Sequence, residues 1–156
     1  MEVQSQVQVQ AHERSERLSI NMYEYRVKNV IKVVDGDTID VEIDLGFDIS
    51  ITQRVRLAGI DTPESRTRDL AEKALGLEVK ELLKKKLEEA KVIVIKTEKP
   101  DSTGKFGRVI GWLHLDNAEV SLNKTLVASG YAWKYDGGTK QKDFGLLKIK
   151  RAESTL

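Results

Sequence analysis

Cysteine is absent from these 156 residues, which removes disulfides and thiol chemistry and leaves the redox compartment open. Histidine occurs only as His12 and His114. Neither has a carboxylate or hydroxyl at helpful spacing, so no histidine-bound metal is supported. No run of about 18 apolar residues is present, so no membrane-spanning helix and no membrane partner are expected. The opening MEVQSQVQVQAHERSERLS has neither a basic n-region nor an apolar h-region. It does not read as a secretory signal, which favours the cytoplasm. Net charge is also small, at +1.

What is present is 40% hydrophobic and 33% charged, the composition of one soluble domain with a single core. The charge is unevenly spread. Residues 35–64 hold eight acids (Asp35, Asp37, Asp40, Glu42, Asp44, Asp48, Asp61, Glu64) against Arg54 and Arg56, a net of −6, so the remainder carries +7. An acidic pocket on a mildly basic body suits a metal-dependent enzyme with a polyanionic substrate. Solvated charges clustered on strands are the plainer explanation of the same numbers.

Residues 1–22 are polar, without a helical stripe, and are expected to form a flexible tail ahead of a domain spanning 23–156. Alternation of apolar and polar residues predicts strands at Arg26–Val34, Thr38–Leu45 and about Ile51–Ala58, a three-stranded antiparallel meander. Ala71, Leu75, Val79, Leu82, Leu83, Leu87 and Ala90 then recur at three- and four-residue spacing, predicting a helix of about 20 residues that begins after Ser65–Asp69. Val92–Ile95 and Arg108–Leu115 read as further strands. Leu122, Leu126 and Val127 predict a short helix with Gly130 as its left-handed cap, and Asp143–Glu153 a last basic helix. The sum is an α+β fold, a five-stranded OB-type barrel with about three helices.

Three short motifs carry the chemistry: Asp35-Gly36-Asp37-Thr38, then Arg56-Leu57-Ala58-Gly59-Ile60-Asp61-Thr62-Pro63-Glu64, then Lys105-Phe106-Gly107-Arg108. Their acids can hold a hard cation or take a proton, and their guanidiniums suit phosphate. With Leu122-Asn123-Lys124-Thr125-Leu126-Val127-Ala128-Ser129-Gly130 they follow an order that resembles the staphylococcal nuclease (thermonuclease) family over about residues 27–153. The resemblance implies an OB-fold endonuclease that hydrolyses DNA and RNA with Ca²⁺ and leaves 3′-phosphates. Single- and double-stranded nucleic acids are the expected partners, and the protein is expected to be a monomer.

Carried over by position, Asp37 and Asp61 look like the metal carboxylates, and Thr62 would offer its backbone carbonyl. Glu64 resembles the residue that engages the attacking water, and Arg56 and Arg108 the phosphate-binding pair. Lys105 and Phe106 match positions lining the nucleotide site, with Phe106 where the phenol of a tyrosine would be expected. Tyr135 corresponds to an aromatic beside the nucleotide, although the spacing after Gly130 is irregular. The interval from Asp37 to Arg56 is several residues longer than the family pattern, predicting an enlarged loop at Gly46. The chain ends at Leu156, soon after the third helix begins to pack, so either that helix is short or the sequence stops before its end.

Each residue also has a structural alternative. Asp35 and Asp37 can serve merely as the turn of an Asp-Gly hairpin, Glu64 as a first-turn acid on the helix dipole, and either arginine as a surface ion-pair partner. Asp40, three residues past Asp37, is expected on the opposite strand face. Trp112 and Trp133 are expected to pack, and Lys84-Lys85-Lys86 to be the wet face of the long helix with weak attraction for a phosphate backbone. The rival functions are a non-catalytic nucleic-acid-binding OB module and a regulatory barrel that binds a peptide.

Overall fold

The computed structural model describes residues 22–98 and 108–154. The expected tail, Lys105 and Phe106 lie outside the described residues, except that Met22 begins the first strand.

Among the described residues, seven strands and three helices follow in order: β1 (Met22–Asp35), β2 (Thr38–Asp44), β3 (Ser50–Leu57), β4 (Ile60–Asp61), α1 (Leu70–Glu89), β5 (Ile93–Glu98), β6 (Val109–Leu115), α2 (Leu122–Ala128), β7 (Trp133–Lys134) and α3 (Phe144–Glu153). Five of the strands close a barrel in the order β1-β2-β3-β6-β5. The three-stranded meander and the OB-type barrel with three helices are as the patterning predicts.

β1 is longer than its alternation implies because it serves two neighbours. Its first part pairs with β5 (Met22↔Glu98 to Arg26↔Val94) and its second with β2 (Arg26↔Asp44 to Asp35↔Thr38). Register slips between Val27 and Asn29, Val30 and Lys32, and Val33 and Asp35 mark bulges. Each bulge bends the strand and raises its twist, which is how one strand turns the corner between two sheet directions. Closure comes from a parallel contact, Val55↔Val109 through Leu57↔Gly111, between β3 and β6. That pairing has no local sequence signal.

Alternate residues point inward. Ile39, Val41, Ile43, Val55, Leu57, Ile95 and Leu113 fill the barrel, and α1 closes one end with Val79, Leu83 and Leu87. Each such buried side chain contributes about 1.5–3 kcal/mol of transfer free energy. The buried stripe of α1 differs from expectation in its first half, where Glu72 and Gly76 face inward and Ala71 is exposed. Asp69 caps α1, its carboxylate accepting the N–H groups of Ala71 and Glu72.

α2 is fastened by Asn123, which is 1% exposed. Its Nδ2 donates to the carbonyls of Ala58 (2.8 Å) and Gly111 (3.1 Å), and its Oδ1 accepts the N–H of Leu113 (3.1 Å). One amide thus satisfies backbone groups where β3 and β6 part. Gly130 follows α2 at φ +79°, the left-handed cap. A Cβ there would also lie 2.5 Å from the Leu147 carbonyl oxygen, so the glycine lets α3 approach. α3 covers the segment that the sequence pattern marks as the last helix and is anchored by buried Leu147 and by Arg151, whose Nε donates to the Gly130 carbonyl at 2.8 Å.

Candidate active site

The site begins with the β1–β2 turn. Asp35 Oδ1 accepts the N–H of Gly36 (3.0 Å) and the hydroxyl of Ser65 (2.7 Å), so it closes the turn and ties it to the segment after Pro63. Asp35 therefore has the turn role, with an added cross-link. Gly36 is required for space: a Cβ there would meet Val79 Cγ1 at 2.8 Å and Thr62 Oγ1 at 3.0 Å. The turn consequently sits flat on α1 and on the Thr62 loop.

Asp37 emerges from that turn nearly buried, with the Thr38 hydroxyl donating to its Oδ1 at 2.9 Å. Across the β2–β3 ladder, Thr38 faces Arg56. The Arg56 guanidinium is held by its own backbone, Nη1 donating to the Leu57 carbonyl at 2.9 Å. Its Nη2 lies 3.3 Å from Asp37 Oδ2 and 3.6 Å from Asp61 Oδ1. Two carboxylates far apart in sequence thus converge on one guanidinium nitrogen.

Asp61 is fixed by a two-stranded sheet that the sequence patterning does not predict, with Ile60↔Lys134 and Asp61↔Trp133 as its pairs. Two-residue strands have no readable period. Thr62 and Pro63 follow, both buried, and the Thr62 hydroxyl has no hydrogen-bond partner among the described residues. Glu64 then turns outward, with its carboxylate half exposed. Its N–H donates to Glu72 Oε1 at 3.2 Å. Gly76 lies directly beneath; a Cβ would stand 2.5 Å from the carbonyl carbon and oxygen of Glu64. Helix α1 is the anvil on which this loop is seated.

Two lysines on the β7–α3 connection complete the charge pattern, and neither is among the residues the motifs single out. Lys140 Nζ is 3.2 Å from Asp61 Oδ1. Lys142 Nζ reaches Glu72 Oε1 at 2.7 Å and Glu64 Oε1 at 3.6 Å. The hydrogen bond to Glu72, with Coulombic attraction from Glu64, Glu72 and Asp61, holds the Lys142 ammonium above the ordinary lysine range against the opposing effect of burial. No pattern marks these lysines; only the return of the chain over β4 brings them in. Tyr135 accompanies them: its N–H donates to the Gly59 carbonyl at 2.9 Å, its hydroxyl donates to the Gly138 carbonyl at 2.8 Å, and Lys140 Nζ stands 5.8 Å from its ring centroid.

Arg108 immediately precedes β6, and the Val55↔Val109 pairing puts its backbone beside the Arg54–Arg56 stretch of β3. Asp40 is indeed elsewhere, bound to Arg54 by paired hydrogen bonds of 2.7 and 3.0 Å. That hydrogen bond, with the charges of Arg54 and Lys32, holds the Asp40 carboxyl below the ordinary aspartate range. His114 is structural, its Nδ1 2.8 Å from the Ala118 carbonyl oxygen. Trp133 packs in the interior and donates to the Asp143 carbonyl at 2.9 Å.

Among the described residues, no group of three or more His, Cys, Asp or Glu side chains is arranged to hold a metal ion. The donors that do converge are the carboxylates of Asp37 and Asp61, both against Arg56 Nη2, with no nitrogen or sulfur ligand. This all-oxygen set fits a hard divalent cation that keeps water or substrate oxygens in its remaining positions.

A small OB-type barrel bearing a carboxylate–guanidinium site beside its β3–β6 junction is the class that fold and site define. Residues 54–153 match the model of the family described as "Staphylococcal nuclease homologue", and the chain belongs to that family. Membership supports a nuclease-like or nucleic-acid-binding function, and the family's nucleases typically depend on calcium. The chain is 27% identical over 150 residues to an uncharacterized protein of Methanocaldococcus jannaschii, covering 85% of this chain and 70% of that one. It is 31% identical over 102 residues to an uncharacterized protein of Bacillus anthracis, covering 65% of this chain and 44% of the other. To Protein ParB of Escherichia coli it is 29% identical over 129 residues, covering 78% and 64%. No helix among the described residues is long and apolar enough to cross a membrane.

Proposed function

We propose that the protein is a calcium-dependent, sugar-nonspecific endonuclease that hydrolyses phosphodiester bonds of DNA and RNA to 3′-phosphate products. The observation that carries this reading is the convergence of Asp37 and Asp61 on Arg56, with Glu64 held on the adjoining loop. Asp37, Asp61 and the Thr62 carbonyl would hold the cation, which when bound polarises a phosphoryl oxygen and offsets developing charge. Glu64 is exposed enough to meet water and takes the proton of the attacking molecule. Pro63 and Gly76 hold its backbone, so its carboxylate is placed before substrate arrives. Arg56 and Arg108 hold the equatorial oxygens, where charge accumulates during in-line attack. Tyr135, Lys105 and Phe106 would line the nucleotide site.

One observation favours the rival binding module. Lys140 already neutralises Asp61, and Lys142 lies against Glu64. A resting site so compensated would bind a phosphate backbone without cutting it. Incubation of single-stranded DNA and RNA with the protein in Ca²⁺, Mg²⁺ or chelator, with mapping of product ends, separates the two. Cutting restored by Ca²⁺ with 3′-phosphate ends supports the nuclease. Binding without cutting in any cation establishes the module, and activity indifferent to chelator defeats the metal assignment.

A further inference from the structure

Away from the acidic site, β1 and the C-terminal half of α1 enclose a groove of about 390 Å³. Lysines distant in sequence meet there: Lys28 and Lys32 from β1, Lys84 from α1, and Lys91 from the turn that follows it, with Glu88 as the acid on the rim. All four lysines are exposed. The floor is apolar, built in part from half-buried Val30 and buried Leu87. Lys28 and Ile31 are bulge residues left over from the β1–β2 ladder, and such residues leave the regular alternation of side chains. Lys28 lies 3.9 Å from Glu42, a surface pairing of the kind that contributes little and exchanges readily.

We propose that this groove is a second binding site for the phosphate backbone of single-stranded nucleic acid, separate from the acidic site. The proposal rests on the nucleic-acid part of the functional reading and not on catalysis. The lining sets four ammoniums against the Glu88 carboxylate, with Glu42 beside Lys28 and Asp40 across the ladder from Lys32, and the surplus of positive charge forms a local field that attracts a polyanion. The groove's lining residues include no aromatic ring on which a base could stack. Recognition is therefore of backbone charge, with sugars and base edges passing over the apolar floor, and is indifferent to sequence.

Its position fits a strand that also reaches the acidic site. Helix α1 connects them: Gly76 seats Glu64, and Leu87, eleven residues on, floors the groove. At 1.5 Å per residue the separation along the helix is about 16 Å, roughly five nucleotides at about 3.4 Å of stacked rise. A dinucleotide is too short to engage both sites, whereas a 16-mer spans them.

The test is fluorescence anisotropy with labelled oligo(dT) of 16 nucleotides, with the unlabelled dinucleotide measured by calorimetry. All binding is measured in chelator, so that no turnover occurs, across a series of salt concentrations. Combining Lys28→Gln, Lys32→Gln, Lys84→Gln and Lys91→Gln should weaken 16-mer binding at least tenfold. The slope of log K against log salt should become shallower by about 3, at roughly 0.7 for each phosphate that is no longer neutralised, and dinucleotide binding should stay within twofold. Glu88→Gln, which removes the acid of the lining and leaves every lysine in place, should tighten 16-mer binding severalfold; it also serves if the fourfold variant fails to fold. Unchanged affinity and slope in the fourfold variant, or no tightening in Glu88→Gln, overturns the proposal and leaves the groove to a protein partner. Cleavage assays in Ca²⁺ run separately: loss of the nuclease reading with these binding changes intact leaves this site standing, and the reverse result removes it alone.

Discussion

At Glu64 and Arg56 the two kinds of contribution, proton transfer and charge stabilisation, separate by substitution. Glu64→Gln keeps the volume and the Glu72-anchored backbone but removes the base, so kcat should fall about 10²–10⁴-fold. A loss below tenfold in a steady-state assay refutes the role. Arg56→Lys keeps charge but not the fork that joins Leu57, Asp37 and Asp61. It should be nearly as damaging as Arg56→Ala; near-wild-type activity would reduce Arg56 to general attraction. Asn123 tests the scaffold. Asn123→Ala removes three hydrogen bonds to interior backbone groups, of which only the Gly111 carbonyl keeps another donor outside the ladders, the Ala58 N–H, and urea unfolding should show a loss of roughly 2–4 kcal/mol. The sequence motifs grouped Asp37, Asp61 and Arg56 through their order and through the family spacing from Arg56 to Asp61, although the interval from Asp37 to Arg56 is longer than the pattern, and Arg56 Nη2 lies near both aspartates. The motifs were silent on Lys140 and Lys142, whose neighbours are polar loop residues with no periodicity to read.

Elements act here mainly by being thin where they cross. Gly76 costs α1 about 1 kcal/mol in intrinsic helix propensity relative to alanine, yet it sits where any Cβ would strike the Glu64 backbone. Gly76→Ala should therefore destabilise rather than stabilise, by about 1–3 kcal/mol, and should lower kcat by displacing Glu64. A higher melting temperature in that variant would show that the loop yields. The β2–β3 ladder carries a pH signature in the Asp40–Arg54 pair. Because the Asp40 carboxyl is held below its usual range in the folded protein, its contribution to stability is present above about pH 4 and is lost as pH falls through the lower folded value. Asp40→Asn should accordingly show a shallower loss of stability than wild type in acid unfolding between about pH 5 and pH 2. The loop at Gly46, residues 45–49 between β2 and β3, is an exposed tip in which Phe47 and Asp48 both have positive φ.

For the whole molecule, ligand linkage offers a check on the cation independent of turnover. If Asp37 and Asp61 hold calcium in the native state alone, Ca²⁺ at about a hundred times its dissociation constant stabilises by about 2.7 kcal/mol. That is a rise of several degrees in Tm, which Asp37→Asn should abolish. A wild-type melt insensitive to Ca²⁺ at millimolar levels removes the metal from the proposal. The sequence by itself determined the barrel strands, the three helices, the Gly130 cap and the family pattern, because alternation, helical spacing and turn chemistry are local and each residue reports its own backbone state. Only the tertiary structure decided that one nitrogen of Arg56 serves two aspartates, that a two-stranded sheet holds Asp61, and that Lys28, Lys32, Lys84 and Lys91 rim one groove. Those facts depend on which segments the closed barrel brings together across dozens of residues. The side chains that meet at the groove are polar and exposed to the same solvent as every other surface residue. Burial, the force that writes periodicity into a sequence, leaves no mark on them.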